Sequence, residues 1–343
     1  MDIPVALVVI VLLAWAIDYI NGFHDTANSI ATVVSTGVLP GRQAVMMAAV
    51  LNFAGAMVGT KVAATIAKGM ADTAVIVPAV IIAAVVAAIV WDLLTWWFAI
   101  PSSTSHTLMG GIAGAVVAHA GFSALKWDKL NQIFLFIFVS PALGFLLAMV
   151  IILAMLWLFR RTATHRVNVG FRKLQIVSAA AMSFSHGQND AQKAMGIICM
   201  GLIMYGFMDA GVGTKVHIPL WVKIGSALMM GLGTAAGGWK IIRTLGSKIV
   251  KLRPVHGFAA ETAAAGVLTL AAALGIPVST THSITGAIMG VGGTMNANAV
   301  RWGLAGNIFV AWILTIPVSA LIAALIYWAL KHLWPSLTSV PAI

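Results

Sequence analysis

Charge is scarce in this chain of 343 residues: Asp, Glu, Lys and Arg together make up 8%, where a soluble domain carries about 25%. With 61% hydrophobic residues, that scarcity leaves no segment that reads as a soluble domain. Cysteine is nearly absent. Cys199 stands alone, which excludes an intrachain disulfide framework and a cysteine-based metal cluster. The first apolar stretch lacks a basic n-region, opens with Asp2 and is interrupted by Asp18, so it reads as a retained span rather than a cleaved signal peptide. What the chain does have is long apolar runs over residues 3–17, 75–90, 133–159 and 308–330. At about 20 residues per crossing, they describe a protein that passes through a bilayer several times.

The formal net charge is +11, which raises the question of a nucleic-acid partner. The distribution points elsewhere. Ten of the twenty basic residues fall in two short polar segments, one with Arg160, Arg161, Arg166, Arg172 and Lys173, the other with Lys240, Arg243, Lys248, Lys251 and Arg253. Short basic loops remain on the cytoplasmic side, so both are expected inside, and no nucleic-acid binding is expected.

The chain also repeats itself. Gly22 and Asp25 recur as Gly187 and Asp190, 165 residues later. Gly59-Thr-Lys61 is matched by Gly238-Trp-Lys240, and Pro101-Ser-Ser-Thr-Ser-His106 by Pro277-Val-Ser-Thr-Thr-His282, with Gly110 then matching Gly286. An ordered set of such pairs indicates duplication. The expected organisation is a first repeat over 1–160, a basic cytoplasmic linker over 161–172 and a second repeat over 173–343. The segment 61–75 carries only Lys61 and Lys68 against Asp72, which suits the outer face, whereas its counterpart 240–253 is basic. Counterparts on opposite faces define an inverted repeat, as in many secondary transporters. The fold expected is therefore an all-α polytopic membrane protein of two inverted-topology repeats. Each repeat has about five membrane elements, with helix-hairpin tips near the midplane and both termini outside. Residues 3–36 and 173–206 each make one crossing. At 1.5 Å per residue such a helix exceeds a ~30 Å core, so each is expected to be broken or strongly tilted, with interruptions at 21–28 and 186–193.

Most of the nine acidic residues are expected near element ends or in loops, but Asp25 and Asp190 fall inside the interrupted segments. A carboxylate at membrane depth is a functional candidate unless it merely glues helices together. Asn28 lies beside the first and Asn189 beside the second, with His24, His186, Gln192 and Lys193 close in sequence. Carboxylate and amide oxygens are hard ligands that suit sodium, and a carboxylate alone carries a proton. Glu261 is a further intramembrane candidate for the cation path. The segments 101–105 and 277–281 each place a proline and several hydroxyls where a helix opens. The free N–H groups there, with Ser103, Thr104, Ser105, Ser279, Thr280 and Thr281, form a cradle suited to an oxyanion without an arginine. His106 and His282 follow as ligand or packing residues.

At these motifs the sequence resembles the inorganic phosphate transporter (PiT) family, closest to its bacterial low-affinity branch. The segment Asn21-Gly-Phe-His-Asp-Thr-Ala-Asn28 looks like its first signature and Ser185-His-Gly-Gln-Asn-Asp-Ala-Gln-Lys193 like its second. The resemblance spans essentially the whole chain. It implies import of inorganic phosphate, in some members as a metal–phosphate complex, across the cell (inner) membrane by symport with H+ or Na+. It also implies a homodimer and no cofactor. One departure is Gln192-Lys193 where many members carry Ala-Asn, which adds a fixed charge where a cation could bind. A sulfate permease on the same scaffold is the near alternative. A membrane-embedded phosphatase using His106 or His282 is the remote one, and it lacks a neighbouring carboxylate in sequence and an intramembrane arginine cluster.

Overall fold

The computed structural model describes residues 4–67, 75–209 and 217–339. Lys68 and Asp72, on which the outward placement of 61–75 partly rests, lie outside the described residues. The regular elements are helices. The first half of the chain holds α1 (Val5–Ser35), α2 (Gly41–Ala56), α3 (Lys61–Ala67), α4 (Pro78–Trp97), α5 (Thr104–Ala120) and α6 (Trp127–Leu158). The second half holds α7 (Thr164–Met204), α8 (Leu220–Ala236), α9 (Trp239–Arg243), α10 (Pro254–Leu274), α11 (Thr280–Met295) and α12 (Trp302–Leu333). Among the described residues, α1, α4, α6, α10 and α12 are each long and apolar enough to cross a membrane, and α2 with α3 forms a pair bent by 67°. The protein is a multi-pass membrane protein.

Proline sets many of the starts. Pro4, Pro40 and Pro219 stand just before α1, α2 and α8, and Pro78 and Pro254 open α4 and α10. The fixed φ of proline is pre-set for the first turn, where its missing N–H has no helical partner to lose. Gly275 closes α10 in the left-handed conformation, φ 72°, the usual way to end a helix.

One expectation needs correction. The segments at 21–28 and 186–193 are not interruptions: α1 runs unbroken for 31 residues and α7 for 41, about 46 and 61 Å long. The glycines in these stretches are there for close approach. A Cβ on Gly22 would stand 2.5 Å from the Met230 carbonyl of α8, and one on Gly187 would stand 2.1 Å from the Asn52 carbonyl of α2. With no proline in either stretch, every backbone N–H stays available to its helix. Within the basic segment 161–172, α7 begins at Thr164 and carries Arg166 and Arg172 exposed on its first turns. The 240–253 segment is likewise built, as α9 followed by a π-helical turn over Thr244–Lys248.

The packing repeats with the halves exchanged. Gly110 and Gly114 of α5 lie against Ile316 and Ala320 of α12, while Gly286 and Gly290 of α11 lie against Pro141 and Phe145 of α6. Pro141 and Pro317 are the prolines inside α6 and α12, at matching places. α1 and α7 run antiparallel: Asn21 meets Asp190, while Leu7 and Ile10 near the start of α1 meet Gly201 near the end of α7. Matching helices running in opposite directions are consistent with an inverted repeat.

Candidate functional site

The centre of the molecule is where the N-termini of α5 and α11 meet. Ser103 Oγ accepts from the His106 N–H and Ser279 Oγ from the His282 N–H, each at 3.2 Å. These are two copies of one cap. Residues 102–107 and 279–285 are buried throughout. Ser105 Oγ donates to the Val278 carbonyl at 3.0 Å, joining one tip to the other. Behind the tips the rings of His106 and His282 meet edge to face with centroids 4.6 Å apart, and His282 stacks on Trp312 at 3.7 Å. Trp312 is anchored by its indole N–H on the Pro101 carbonyl, at 3.0 Å. Both histidine rings thus lie against aromatic neighbours behind the caps.

α1 and α7 carry the polar side chains to these tips. Thr104 Oγ1 lies 3.0 Å from Asn21 Oδ1 and 3.3 Å from Asp25 Oδ2. Lys193 Nζ lies 3.0 Å from Thr104 Oγ1 and 2.9 Å from Asp190 Oδ2. Asn28 Nδ2 donates to Thr281 Oγ1 at 2.9 Å and lies 3.2 Å from Thr280 Oγ1. Thr280 Oγ1 is in turn 3.4 Å from Asp190 Oδ2. Each long helix therefore contacts both tips, that of its own half and that of the other. Asp25 is paired with His24 Nδ1 at 2.8 Å, and Asp190 with Lys193 and, at 3.4 Å, with His186 Nε2. One ligand atom from each of Asp25, His186 and Asp190 falls within a 4.8 Å cluster. Its two carboxylates are donors for a hard cation. Asn28 Oδ1, Asp190 Oδ1 and both polar atoms of Asn189 are buried without a protein hydrogen-bond partner. Such groups call for a ligand or water.

The structure thus brings together Ser103, Thr104, Ser105, Ser279, Thr280, Thr281, Asp25, Asn28 and Asp190. Asn189 is buried one residue from Asp190. Glu261 is placed elsewhere. Its carboxylate accepts hydrogen bonds from Thr32 of α1 and from Ser178 and Gln175 of α7. Thr32 is seven residues beyond Asp25, about 10 Å along the helix. Glu261 is a satisfied carboxylate at the junction of three helices, beyond the tips.

The chain as a whole is similar to known proteins. The profile described as "Phosphate transporter family" matches residues 21–169 and 159–323. The chain belongs to the phosphate transporter family. A relative from Rhizobium meliloti (strain 1021), named "Probable low-affinity inorganic phosphate transporter", is 50% identical over 94% of this chain and 96% of its own length. One of the same name from Bacillus subtilis (strain 168) is 45% identical over 97% of this chain and 100% of its own. A solved structure described as "The sodium-dependent phosphate transporter" superposes with a TM-score of 0.85 at 27% identity, covering 96% of this chain and all of that one. As a member of a family of transporters, the protein is a transporter and not an enzyme, and the phosphatase reading is set aside.

Sequence reasoning offered neither of two further buried acids of this phosphate transporter family member as a site candidate. Asp18 in α1 and Asp92 in α4 are both buried, although most acids other than Asp25 and Asp190 were expected near ends or in loops. Asp92 Oδ1 accepts from Thr107 Oγ1 at 3.0 Å, just behind the first tip. The signal lay in their positions: each is a lone carboxylate flanked by apolar residues.

Proposed function

We propose that the protein imports inorganic phosphate across the cell (inner) membrane by symport with a cation, H+ or Na+. The observation that carries this reading is the meeting of two capped helix N-termini beside a pair of buried aspartates. Helix N-termini present free N–H groups and the positive end of the dipole to an anion. Ser103, Thr104, Ser105, Ser279, Thr280 and Thr281 supply the rest of the phosphate cradle. Asp25 and Asp190, with Asn28 and Asn189, form the cation-coupling part, and Glu261 serves the cation path beyond it. Carrying an anion into a negative-inside cell is opposed by about 2.3 kcal/mol per charge per 100 mV. Co-bound cations offset that and tie the two fluxes together. A metal–phosphate complex would present the same phosphate oxygens to the cradle and, with its lower net charge, meet less opposition from the potential.

Two inverted repeats, 1–160 and 173–343, meeting at this site would expose it alternately to the two faces. In this reading both termini lie outside and the basic segments inside, as the charge bias favours, and the working unit is a homodimer. The solved relative named sodium-dependent supports sodium, and carboxylates with amide oxygens suit it equally. The test is uptake of radiolabelled phosphate into proteoliposomes under an imposed proton or sodium gradient. Accumulation driven by one of them supports the reading. Uptake of sulfate with no competition from phosphate would contradict it.

A further inference from the structure

Of the lysines and arginines among the described residues, Lys193 alone is buried, at 5% exposure. It lies on α7 three residues after Asp190, as Asn28 lies on α1 three residues after Asp25. The two side chains do matching work. Asn28 reaches from α1 to Thr280 and Thr281 at the tip of α11, and Lys193 reaches from α7 to Thr104 at the tip of α5. They differ in charge: one is a neutral amide, the other an ammonium held 2.9 Å from Asp190 Oδ2. The remaining groups facing Asp190 are His186 of its own helix, Asn21 of α1, Thr280 of α11 and the Asp25 carboxylate, which has an oxygen within 4.8 Å of it. Lys193 is therefore the only permanent cation beside it among the described residues.

We propose that the Lys193 ammonium is a built-in counter-ion that stands in for one transported cation on the Asp190 side of the site. Each phosphate then moves with one fewer mobile cation than two free aspartates would require. The proposal rests on the phosphate symport reading above and adds its stoichiometry. Two carboxylates and an anion in one low-dielectric site repel one another strongly. A charge tethered on α7 relieves that repulsion in every state of the cycle, without being released to the cytoplasm. Only Asp25 is left to recruit an ion from solution. The ammonium has three donors, so it serves Asp190, Thr104 and an anion at the tips at once.

The experiment measures net charge moved per phosphate in proteoliposomes, from the dependence of phosphate accumulation on a potassium–valinomycin potential at fixed proton and sodium gradients. Wild type, K193N and the double variant D190N/K193N are compared. Each added positive charge per phosphate raises accumulation about 50-fold per 100 mV, inside negative. K193N should show that steeper dependence, and D190N/K193N, which restores the site's net charge, should return to the wild-type slope. If K193N leaves an unpaired buried carboxylate and yields no folded protein, the double variant buries neither charge and decides alone. Transport by D190N/K193N with the wild-type slope supports the proposal. An unchanged slope in K193N overturns it, as does folded but inactive D190N/K193N, or a double variant as steep as K193N. Wild type that takes up no phosphate would instead refute the phosphate reading itself.

Discussion

An aspartate buried among membrane helices persists only where something neutralises it or hydrogen-bonds it, and Asp25 and Asp190 are provided for differently. Asp190 has an ammonium at 2.9 Å, whereas Asp25 has the neutral-or-charged ring of His24 at 2.8 Å and the Thr104 hydroxyl. Asp25 is therefore the carboxylate more dependent on an ion from solution. The substitution Asp25→Asn keeps the size and removes the charge and the proton acceptor. It should abolish gradient-driven accumulation of phosphate while leaving the protein folded, as judged by an unchanged elution profile. Asp190→Asn leaves the Lys193 ammonium buried without its carboxylate, so it should lower stability as well as accumulation, and D190N/K193N separates the two effects. Full accumulation by Asp25→Asn, with unchanged dependence on the gradient, would make that carboxylate structural.

At the scale of helices, some of the architecture was legible and some was not, for physical reasons. The tips were legible because Pro101 and Pro277 followed by hydroxyls encode a cap locally, and the caps at Ser103 and Ser279 are local structures. The unbroken course of α1 and α7 was not. A glycine followed by Asp and Asn looks like a break in one dimension. Whether Gly22 frees the backbone or admits a neighbour depends on α8, more than 200 residues away in the chain. The crossing of α5 onto α12 and of α11 onto α6 was hidden for the same reason. Small residues mark a close approach but not the partner.

That packing makes a quantitative prediction. A Cβ on Gly114 would sit 2.0 Å from the Ala320 carbonyl, and backbone there cannot yield cheaply. Gly114→Ala should lower stability by about 1–3 kcal/mol, as overpacking does, and impair uptake by displacing the tip of α5. Gly303→Ala in α12 has nothing within 4 Å of the new methyl and should be neutral or slightly stabilising. Thermal unfolding in detergent compares the two. Equal midpoints would show that the α5–α12 contact is looser than its geometry.

For the whole molecule, the antiparallel course of α1 and α7 and the exchanged packing of the two tips are what opposed repeats would give. Opposed repeats carry an orientation with them. Single cysteines at positions 165 and 248, in a background with Cys199 replaced, should resist an impermeant thiol reagent in intact cells and react after permeabilisation. Ready labelling of either from outside would invert the topology. The central claim is that one phosphate is held between the two tips, and a structure determined with phosphate tests it most directly. Tetrahedral density within hydrogen-bonding distance of both Ser103–Ser105 and Ser279–Thr281 is the predicted result. Density elsewhere, with normal uptake by Ser103→Ala and Thr280→Val, would contradict it.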